Sequence, residues 1–196
     1  MLRAVADVPR ARFVPAEHAG SAELDIPLPI PHGQVTTQPS LVARMVEALG
    51  LTGVERVLEV GAGYGYQTAL LARLAGQVWA VERWAELATV ARANLVRSGI
   101  HNAHVVVGDG TLGLPAHAPY DGVVVAAAFS DVPAPLAEQL RLGGRLVQPI
   151  GRGGHERVTL FVQTPRGLQR RGQVAAARFV RLYGRHGFAA EDEQEP

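Results

Sequence analysis

Between residues 56 and 141, short apolar runs alternate with longer stretches in which apolar residues recur every three or four positions. The short runs are apolar without alternation, as in strands buried on both faces, and the longer stretches have the period of amphipathic helices. The predicted strands are RVLEV (56–60), QVWAV (77–81), HVVV (104–107) and YDGVVVAA (120–127), and the predicted helices are 64–75, 84–98 and 133–141. This order predicts an α/β fold with a doubly wound, mainly parallel sheet covered by helices on both faces.

The segment ahead of this region has a different pattern. Its first 36 residues are rich in proline, and the stretch DIPLPIPHG is incompatible with a helix, so residues 1–36 are predicted to be irregular and to cover the site. The stretch TTQPSLVARMVEALG that follows predicts a helix. Thr37 is its expected N-cap, Pro39 lies in its first turn, and Gly50 ends it.

The last third of the chain predicts strands that close the sheet. LRLGGRLVQPI should contain a turn at Gly143-Gly144 and then a strand, and Pro165-Arg166-Gly167 should form a hairpin turn. The closing antiparallel strands are expected at RVTLFVQT (157–164), LQRRGQVAA (168–176) and RFVRLYG (178–184). We therefore expect one domain over residues 1–187, with a cover (1–36), a cofactor-binding core (37–150) and closing strands (151–187), and a disordered acidic tail over 188–196.

The first predicted strand runs directly into a glycine-rich loop, LEVGAGYGYQ. In doubly wound sheets this loop lies at the carboxyl ends of the strands, where ligands bind. Gly61, Gly63 and Gly65 do not complete the dinucleotide fingerprint, because Tyr66 stands where the third glycine of G-x-G-x-x-G belongs. Glu59 beside this loop would repel a pyrophosphate, so we expect a cationic ligand without phosphate.

Two more acids follow the next two predicted strands. Glu82 comes about 20 residues after the glycines, where a carboxylate can accept hydrogen bonds from both ribose hydroxyls. Asp109 follows the third strand, where its carboxylate is expected to accept a hydrogen bond from an adenine amino group. Gly110 beside it lets the adenine ring approach. Each feature alone is also common in ordinary turns or solvated strand ends. Together at successive strand ends they favour S-adenosylmethionine, which carries an ammonium and a sulfonium and no phosphate.

Composition removes several other classes of site. All 19 basic residues are arginine, so mechanisms that need a lysine Schiff base or a Walker-type phosphate loop are excluded. The absence of cysteine excludes thiolate metal sites and a cysteine nucleophile, and it fits a cytoplasmic protein. His101 and His104 are the closest pair of histidines, but their spacing does not indicate a metal site. Arginines concentrate in the last third, which leaves a nucleic-acid surface open, although aromatic residues for base stacking do not interleave with them.

Seven stretches together resemble the protein-L-isoaspartate O-methyltransferases: RFVPAEH, LPIPHGQVTTQP, VLEVGAGYGYQTALLA, GDGTLG, YDGVVVAAA, LRLGGRLVQPIG and RFVRLYG. The resemblance implies a seven-strand methyltransferase sheet and methylation of the free α-carboxylate of isoaspartyl residues in damaged proteins. The ester then cyclises to a succinimide, which hydrolyses partly back to aspartate. The acceptor is already ionised at pH 7, so no general base is required.

The resemblance also implies roles for three residues near the end of the cover. His32 in the PHGQ stretch is expected to shape the substrate cleft, and Thr36 to contact the cofactor. Thr37 stands where family members usually carry serine, so its hydroxyl is expected to serve as the catalytic contact to cofactor and acceptor. Family members carry a further N-terminal helix ahead of VPRARFVP, which implies a more open cofactor cleft here.

Two alternatives stay open on the sequence. One is a methyltransferase of the same fold acting on a small carboxylic acid or on RNA, and the other is a module that binds the cofactor without turnover. The resemblance to the protein-L-isoaspartate O-methyltransferases predicts instead a monomer that acts on isoaspartyl proteins and peptides, with no nucleic acid, membrane or metal involved. The N-terminus has proline and charges where a signal peptide would be apolar, which adds to the expectation of a cytoplasmic location.

Overall fold

The computed structural model describes residues 1–152 and 154–189, and within them seven strands form one sheet in the order β5-β4-β3-β6-β7-β8-β9. Strands β3 to β7 run parallel to one another, whereas β8 is antiparallel to both β7 and β9. The strands are β3 (Arg56–Val60), β4 (Gln77–Glu82), β5 (Ala103–Val107), β6 (Tyr120–Val125), β7 (Leu140–Ile150), β8 (Glu156–Thr164) and β9 (Gly167–Ala177). The predicted mainly parallel seven-strand sheet with antiparallel closing strands is confirmed.

Helices pack on both faces of the sheet, as the apolar strands require. The helices are α1 (Leu2–Asp7), α2 (Pro39–Ala48), α3 (Tyr66–Leu74), α4 (Ala85–Arg97) and α5 (Ala134–Glu138). On one face Met45, Leu70 and Leu71 are fully buried against the sheet, and on the other Tyr120 and Leu136 are fully buried. Burying each such side chain contributes about 1.5–3 kcal/mol, so the strands at the centre of the sheet are held firmly.

The closing region differs from the prediction in three details. The predicted Gly143-Gly144 turn is wrong: β7 runs through it, and the register jumps from Leu140 to Arg145 across a bulge. Helix α5 ends at Glu138, earlier than predicted, because β7 begins at Leu140. RFVRLYG is not a regular strand and forms only isolated bridges. The hairpin between β8 and β9 is confirmed, with Thr164 paired to Gly167.

The cover is more ordered than predicted. It contains α1, two 3₁₀ turns at Arg10–Phe13 and Ala16–Ser21, and a hairpin of β1 (Leu28–Ile30) and β2 (Gln34–Thr36). The proline-rich stretch is not helical, as expected, but it pairs as a short hairpin because the turn at residues 31–33 lets two extended segments meet.

The predicted N-cap of α2 is also wrong. Gln38 occupies the N-cap position and makes no side-chain capping bond, because Pro39 fixes the first residue of the helix one position later than we expected. The carboxylate of Asp25 accepts hydrogen bonds from the Ser40 backbone N–H at 2.9 Å and from the Ser40 hydroxyl at 2.7 Å. The cover therefore caps the helix from a distant part of the sequence. At the other end Gly50 has a φ of +65°, in agreement with its predicted role as terminator.

Near the C-terminus, Phe188 still belongs to the fold, because it bridges to Tyr183 and its ring meets that of Phe129 edge-on at 5.1 Å. The tail predicted to be disordered falls otherwise on residues outside those the structure describes. No helix in the described ranges has the length and apolar character to cross a bilayer.

Candidate functional site

A cleft of about 890 Å³, including space open to solvent, lies at the carboxyl ends of β3, β4 and β6. We call it the glycine cleft. The sheet and its loops line it with Val60–Tyr64, Tyr66, Gln67, Val81–Arg83, Leu87, Gly110, Ala126 and Ala127. The cover and the C-terminal segment line it with Ile30, Gln34–Thr37 and Val180–Tyr183.

The three glycines of the predicted loop do not share one role. All have positive φ, at +91°, +54° and +91° for Gly61, Gly63 and Gly65. Gly61 and Gly63 line the cleft. Gly65 instead turns toward α4, where an added Cβ would lie 3.4 Å from the Ala91 Cβ. The first two therefore allow a ligand to approach the backbone, and the third allows α3 to pack closely against α4.

Glu82 is held at the floor of the glycine cleft by backbone donors. Its two carboxylate oxygens accept from Gly63 N–H at 2.8 Å and from Trp84 N–H at 3.0 Å, and the residue is 5% exposed. Each carboxylate oxygen has a second lone pair, so the group can still accept hydrogen bonds from a ligand. This is the arrangement expected of an acceptor for ribose hydroxyls.

Glu59 lies beneath the cleft and does not line it, which corrects the prediction that its charge faces the ligand. The side chain is fully buried and accepts from Gln67 Nε2 at 3.0 Å and from Thr68 Oγ1 at 2.5 Å. Burial raises the pKa of this carboxyl to about 7. Its contacts tie β3 to the first turn of α3, so its role is to support the loop from below.

Asp109 is not among the residues that line the glycine cleft, and its contact to an adenine amino group stays a prediction. One carboxylate oxygen accepts from the Thr111 N–H at 2.9 Å and hydroxyl at 2.6 Å, and the other accepts from the Arg185 N–H at 2.8 Å. Although burial alone would raise it, these hydrogen bonds leave the pKa of Asp109 below its usual range. Its neighbour Gly110 does line the cleft.

Arg10 organises the cover, and the sequence reasoning missed it. Its guanidinium is 3% exposed and lies 2.8 Å from the Thr36 hydroxyl and 3.2 Å from the carbonyl oxygens of Thr36 and Thr37. It also donates to three carbonyls earlier in the cover, those of Ala22, Leu24 and Ile26. One side chain thus fixes the backbone on which Thr36 and Thr37 stand. The available signal was an arginine among apolar residues in RARFVP.

Thr37 stands where the glycine cleft meets a second cleft of about 770 Å³, which we call the outer cleft. The two clefts share four lining residues, Val35, Thr37, Ala126 and Val180. The outer cleft is otherwise lined by Pro27, Gln38, Ser40, Leu41, Arg44 and Ala175–Phe179. Thr36 lines only the glycine cleft. A group bound in either cleft can therefore reach the side chain of Thr37.

His32 lines neither cleft, and its contact with the substrate stays a prediction. Its ring stacks on Trp84 with centroids 4.0 Å apart, and Nε2 lies 3.0 Å from a carboxylate oxygen of Glu86. The residue has a φ of +62° in the turn of the β1–β2 hairpin. His32 therefore fastens the hairpin to the start of α4.

Among the described residues, no group of three or more histidine, aspartate or glutamate side chains is placed to hold a metal ion. His104, one of the two histidines closest in sequence, stacks on Trp79 with centroids 4.5 Å apart. Its ring is therefore engaged in packing.

Comparison with known proteins identifies close relatives along almost the whole chain. The family model described as Protein-L-isoaspartate(D-aspartate) O-methyltransferase matches residues 1–187. A Protein-L-isoaspartate O-methyltransferase from Aeropyrum pernix is 50% identical over 192 residues, covering 96% of this chain and 74% of that protein. One from Anaeromyxobacter dehalogenans is 50% identical over 184 residues, covering 93% of this chain and 88% of that protein.

Solved structures show the same fold. A protein-L-isoaspartate O-methyltransferase matches with a TM-score of 0.82 and 31% identity, covering 94% of this chain, which spans 61% of that longer chain. A structure from Plasmodium falciparum in complex with S-adenosyl-L-homocysteine matches with a TM-score of 0.74 and 21% identity. The match covers 92% of this chain and 88% of the Plasmodium chain. At this sequence identity it supports only the assignment of the fold.

Proposed function

The chain belongs to the protein-L-isoaspartate(D-aspartate) O-methyltransferase family, and from this premise we propose that the glycine cleft binds S-adenosylmethionine and the outer cleft binds the acceptor. The enzyme methylates the free α-carboxylate of L-isoaspartyl residues in damaged proteins and peptides, which begins their repair through a succinimide. The observation that supports the assignment of the clefts is that they meet at Thr37.

The residues of the glycine cleft fit this donor. Glu82 presents a fixed carboxylate that suits hydroxyl donors, and Gly61, Gly63 and Gly110 leave room for close approach of a flat ring or a short chain. Two arginines, Arg83 and Arg181, also line the cleft, but the acid at its floor disfavours a phosphate beside the glycines. When bound, S-adenosylmethionine supplies an electrophilic methyl group on a sulfonium sulfur.

The work left to the chain is to orient and desolvate an anion. A terminal-type carboxylate has a reference pKa near 3.5, so it enters as the nucleophile without losing a proton to the enzyme. Val35, Ala126 and Val180 form apolar walls at the junction and exclude water from the carboxylate. Thr37 is the catalytic residue in this proposal, because its hydroxyl donates a hydrogen bond that fixes the carboxylate.

The proposal includes the setting in which the enzyme works. It acts as a monomer in the cytoplasm, and its partners are proteins and peptides that contain isoaspartyl residues. Neither nucleic acid nor a membrane takes part. The family membership supports the protein substrates, and the uncharged walls at the junction suit a peptide better than a polyanion.

Methyl transfer to one peptide in two forms tests the function. We expect rapid transfer of labelled methyl groups to the isoaspartyl form and little to the aspartyl form, because one methylene displaces the carboxylate from the reactive geometry. The ester should then decay through a succinimide visible by mass spectrometry. Equal rates on the two forms would contradict the repair function. Failure of both forms together with methylation of RNA or of a small carboxylic acid would favour the alternative acceptors.

A further inference from the structure

The outer cleft carries an arginine on each of the two elements that form its walls. Arg44 projects from α2, and Arg178 follows the end of β9. The Nε of Arg178 donates to the Gly154 carbonyl at 2.9 Å, which fixes where this guanidinium lies. The other residues that line the cleft, among those the structure describes, carry no formal charge. The walls of the outer cleft are therefore positively charged at Arg44 and Arg178 and uncharged elsewhere.

Both arginines lie a short way along the chain from residues that line the reactive junction. On α2, Arg44 is five residues beyond Pro39, or about 8 Å of helix, and Thr37 stands two residues before Pro39. On the other wall, Arg178 is two residues from Val180, or about 7 Å in extended chain. An extended peptide advances about 3.3 Å per residue, so its second or third residue from the junction would lie between the two guanidinium groups.

One acid lies near the rim of the outer cleft and opposes this field. Asp25 accepts from the Ser40 backbone and hydroxyl, and these hydrogen bonds lower its pKa, so it stays ionised at neutral pH. Ser40 is one helical turn closer to the junction than Arg44. The sign of the charge thus changes along the outer cleft, with a negative charge close to the junction and two positive charges further out.

We propose, on the basis of the proposed function, that the outer cleft selects isoaspartyl sites with an acidic side chain two or three residues away in sequence. An acid at that distance meets Arg44 and Arg178, whereas an acid next to the isoaspartyl residue meets the charge of Asp25. The attraction acts between largely exposed groups, so it favours such peptides by about three- to tenfold in kcat/KM at low salt. It should weaken when salt screens the charges.

A set of matched isoaspartyl peptides tests this selectivity. Each peptide has Glu, Gln or Lys two or three residues before or after the isoaspartyl residue, and methyl transfer is measured at low and at high salt. On one side of the isoaspartyl residue we expect the order Glu, then Gln, then Lys, with the differences mainly in KM. The side that shows the effect gives the direction in which the peptide lies in the cleft.

Charge variants of the enzyme make the test specific. In R44Q the advantage of the Glu peptide over the Gln peptide should fall about two- to threefold, and in R44E it should disappear, because the introduced acid offsets the charge of Arg178. R166Q removes the same charge from the exposed β8–β9 turn and should leave the order unchanged. Equal kcat/KM for all three peptides in the wild-type enzyme, or an unchanged order in R44E, would overturn the inference. In either case a good rate on the isoaspartyl Gln peptide keeps the proposed function intact, whereas the loss of that rate would contradict it.

Discussion

Two regions enclose the glycine cleft, and they are stabilised in different ways. The floor, formed by β3, β4 and the loop of residues 61–65, belongs to the central sheet, and its strands are paired along their whole length. Within the cover, the segment of residues 22–37 contains a hairpin of two three-residue strands and long turns. Three side chains, Arg10, Asp25 and His32, link this segment to other parts of the chain. The floor is thus held by many repeated contacts, and the cover by a few specific ones.

The difference predicts that single substitutions affect the two regions unequally. In the floor, backbone hydrogen bonds between strands also stabilise the structure, and they remain when a single side chain is replaced. In the cover, one side chain holds several backbone segments, so its loss acts on all of them. The predictions below test this contrast in order of expected effect.

Replacing Arg10 should have the largest effect. Arg10→Met removes the charged donor from buried carbonyls, and we expect a loss of about 3–5 kcal/mol in the free energy of unfolding. Hydrogen exchange should show faster opening of residues 22–37 than of β3 and β4. Arg12→Met, an exposed change in the same turn, is the control and should be nearly neutral. Equal loss of protection in floor and cover would contradict the contrast.

Glu59 should make the floor sensitive to pH. Its pKa is raised from 4.5 to about 7 in the folded protein, so the folded state binds more protons than the unfolded state between these values. Its contribution to stability is therefore complete below about pH 4.5 and is lost as the pH rises to about 7, by at most about 3 kcal/mol.

Chemical denaturation at pH 5, 6, 7 and 8 measures this contribution. Glu59→Gln keeps the shape of the side chain and cannot ionise, so the stability difference between the variant and the wild type should shift in favour of the variant as the pH rises. Other titrating groups are common to both proteins and cancel in the difference. A difference that stays constant over this range would show that Glu59 does not titrate there.

Changing Glu82 should weaken donor binding without unfolding the floor. Glu82→Ala removes an acceptor that is already positioned by two backbone donors, and calorimetry should show affinity for S-adenosylmethionine reduced by about 1.5–3 kcal/mol. Glu138→Ala on α5 provides a control on an exposed acid. Unchanged affinity in Glu82→Ala would remove this residue from the donor site.

Thr37 should matter for the rate and little for stability. Thr37→Val keeps the shape and loses the hydroxyl, and the methylation rate should fall about 10–100-fold, equivalent to about 1.4–2.7 kcal/mol. Thr37→Ser should stay within a few-fold of the wild type. Because Thr37 is not the N-cap of α2, neither change should lower the melting temperature appreciably. Full activity in Thr37→Val would exclude a catalytic role for the hydroxyl.

His32 should give the smallest effect. His32→Ala removes the stack on Trp84 and the exposed pair with Glu86, which together contribute about 0.5–1.5 kcal/mol to keeping the hairpin closed. Stopped-flow measurements should show S-adenosylhomocysteine leaving several-fold faster. His32→Phe keeps the stack on Trp84, so its release rate should lie between those of the wild type and His32→Ala. If release is equally fast in all three proteins, the hairpin does not limit it.

The same contrast explains which features could be predicted from sequence. Strands β3 to β6 and the loop after β3 were predictable because a buried parallel sheet leaves a periodic pattern in the sequence. The position of Glu59 was not, because a strand buried on both faces has no alternation to show which way its one acid points. Glu59 in fact lies under α3, where Gln67 and Thr68 donate hydrogen bonds to its carboxylate.

The cover shows where sequence reasoning ends. Arg10 reaches groups 12 to 27 residues away, and no local pattern records such contacts. The cap of α2 was misassigned for a similar reason, since the acid that satisfies Ser40 lies 15 residues earlier in the chain, at Asp25. The resemblance to a family placed Thr37 in the site, but only the structure shows that it lies between two clefts.

In the proposed function Val35, Thr37, Ala126 and Val180 line both binding sites, so we expect the two binding events to be thermodynamically linked. A ligand that moves or rigidifies these four side chains in one cleft changes the free energy of binding in the other. Whatever factor the donor adds to the affinity for the peptide, the peptide must add to the affinity for the donor. In the same proposal the demethylated product and the methylated peptide occupy this junction, so we expect their release to follow the same reciprocity.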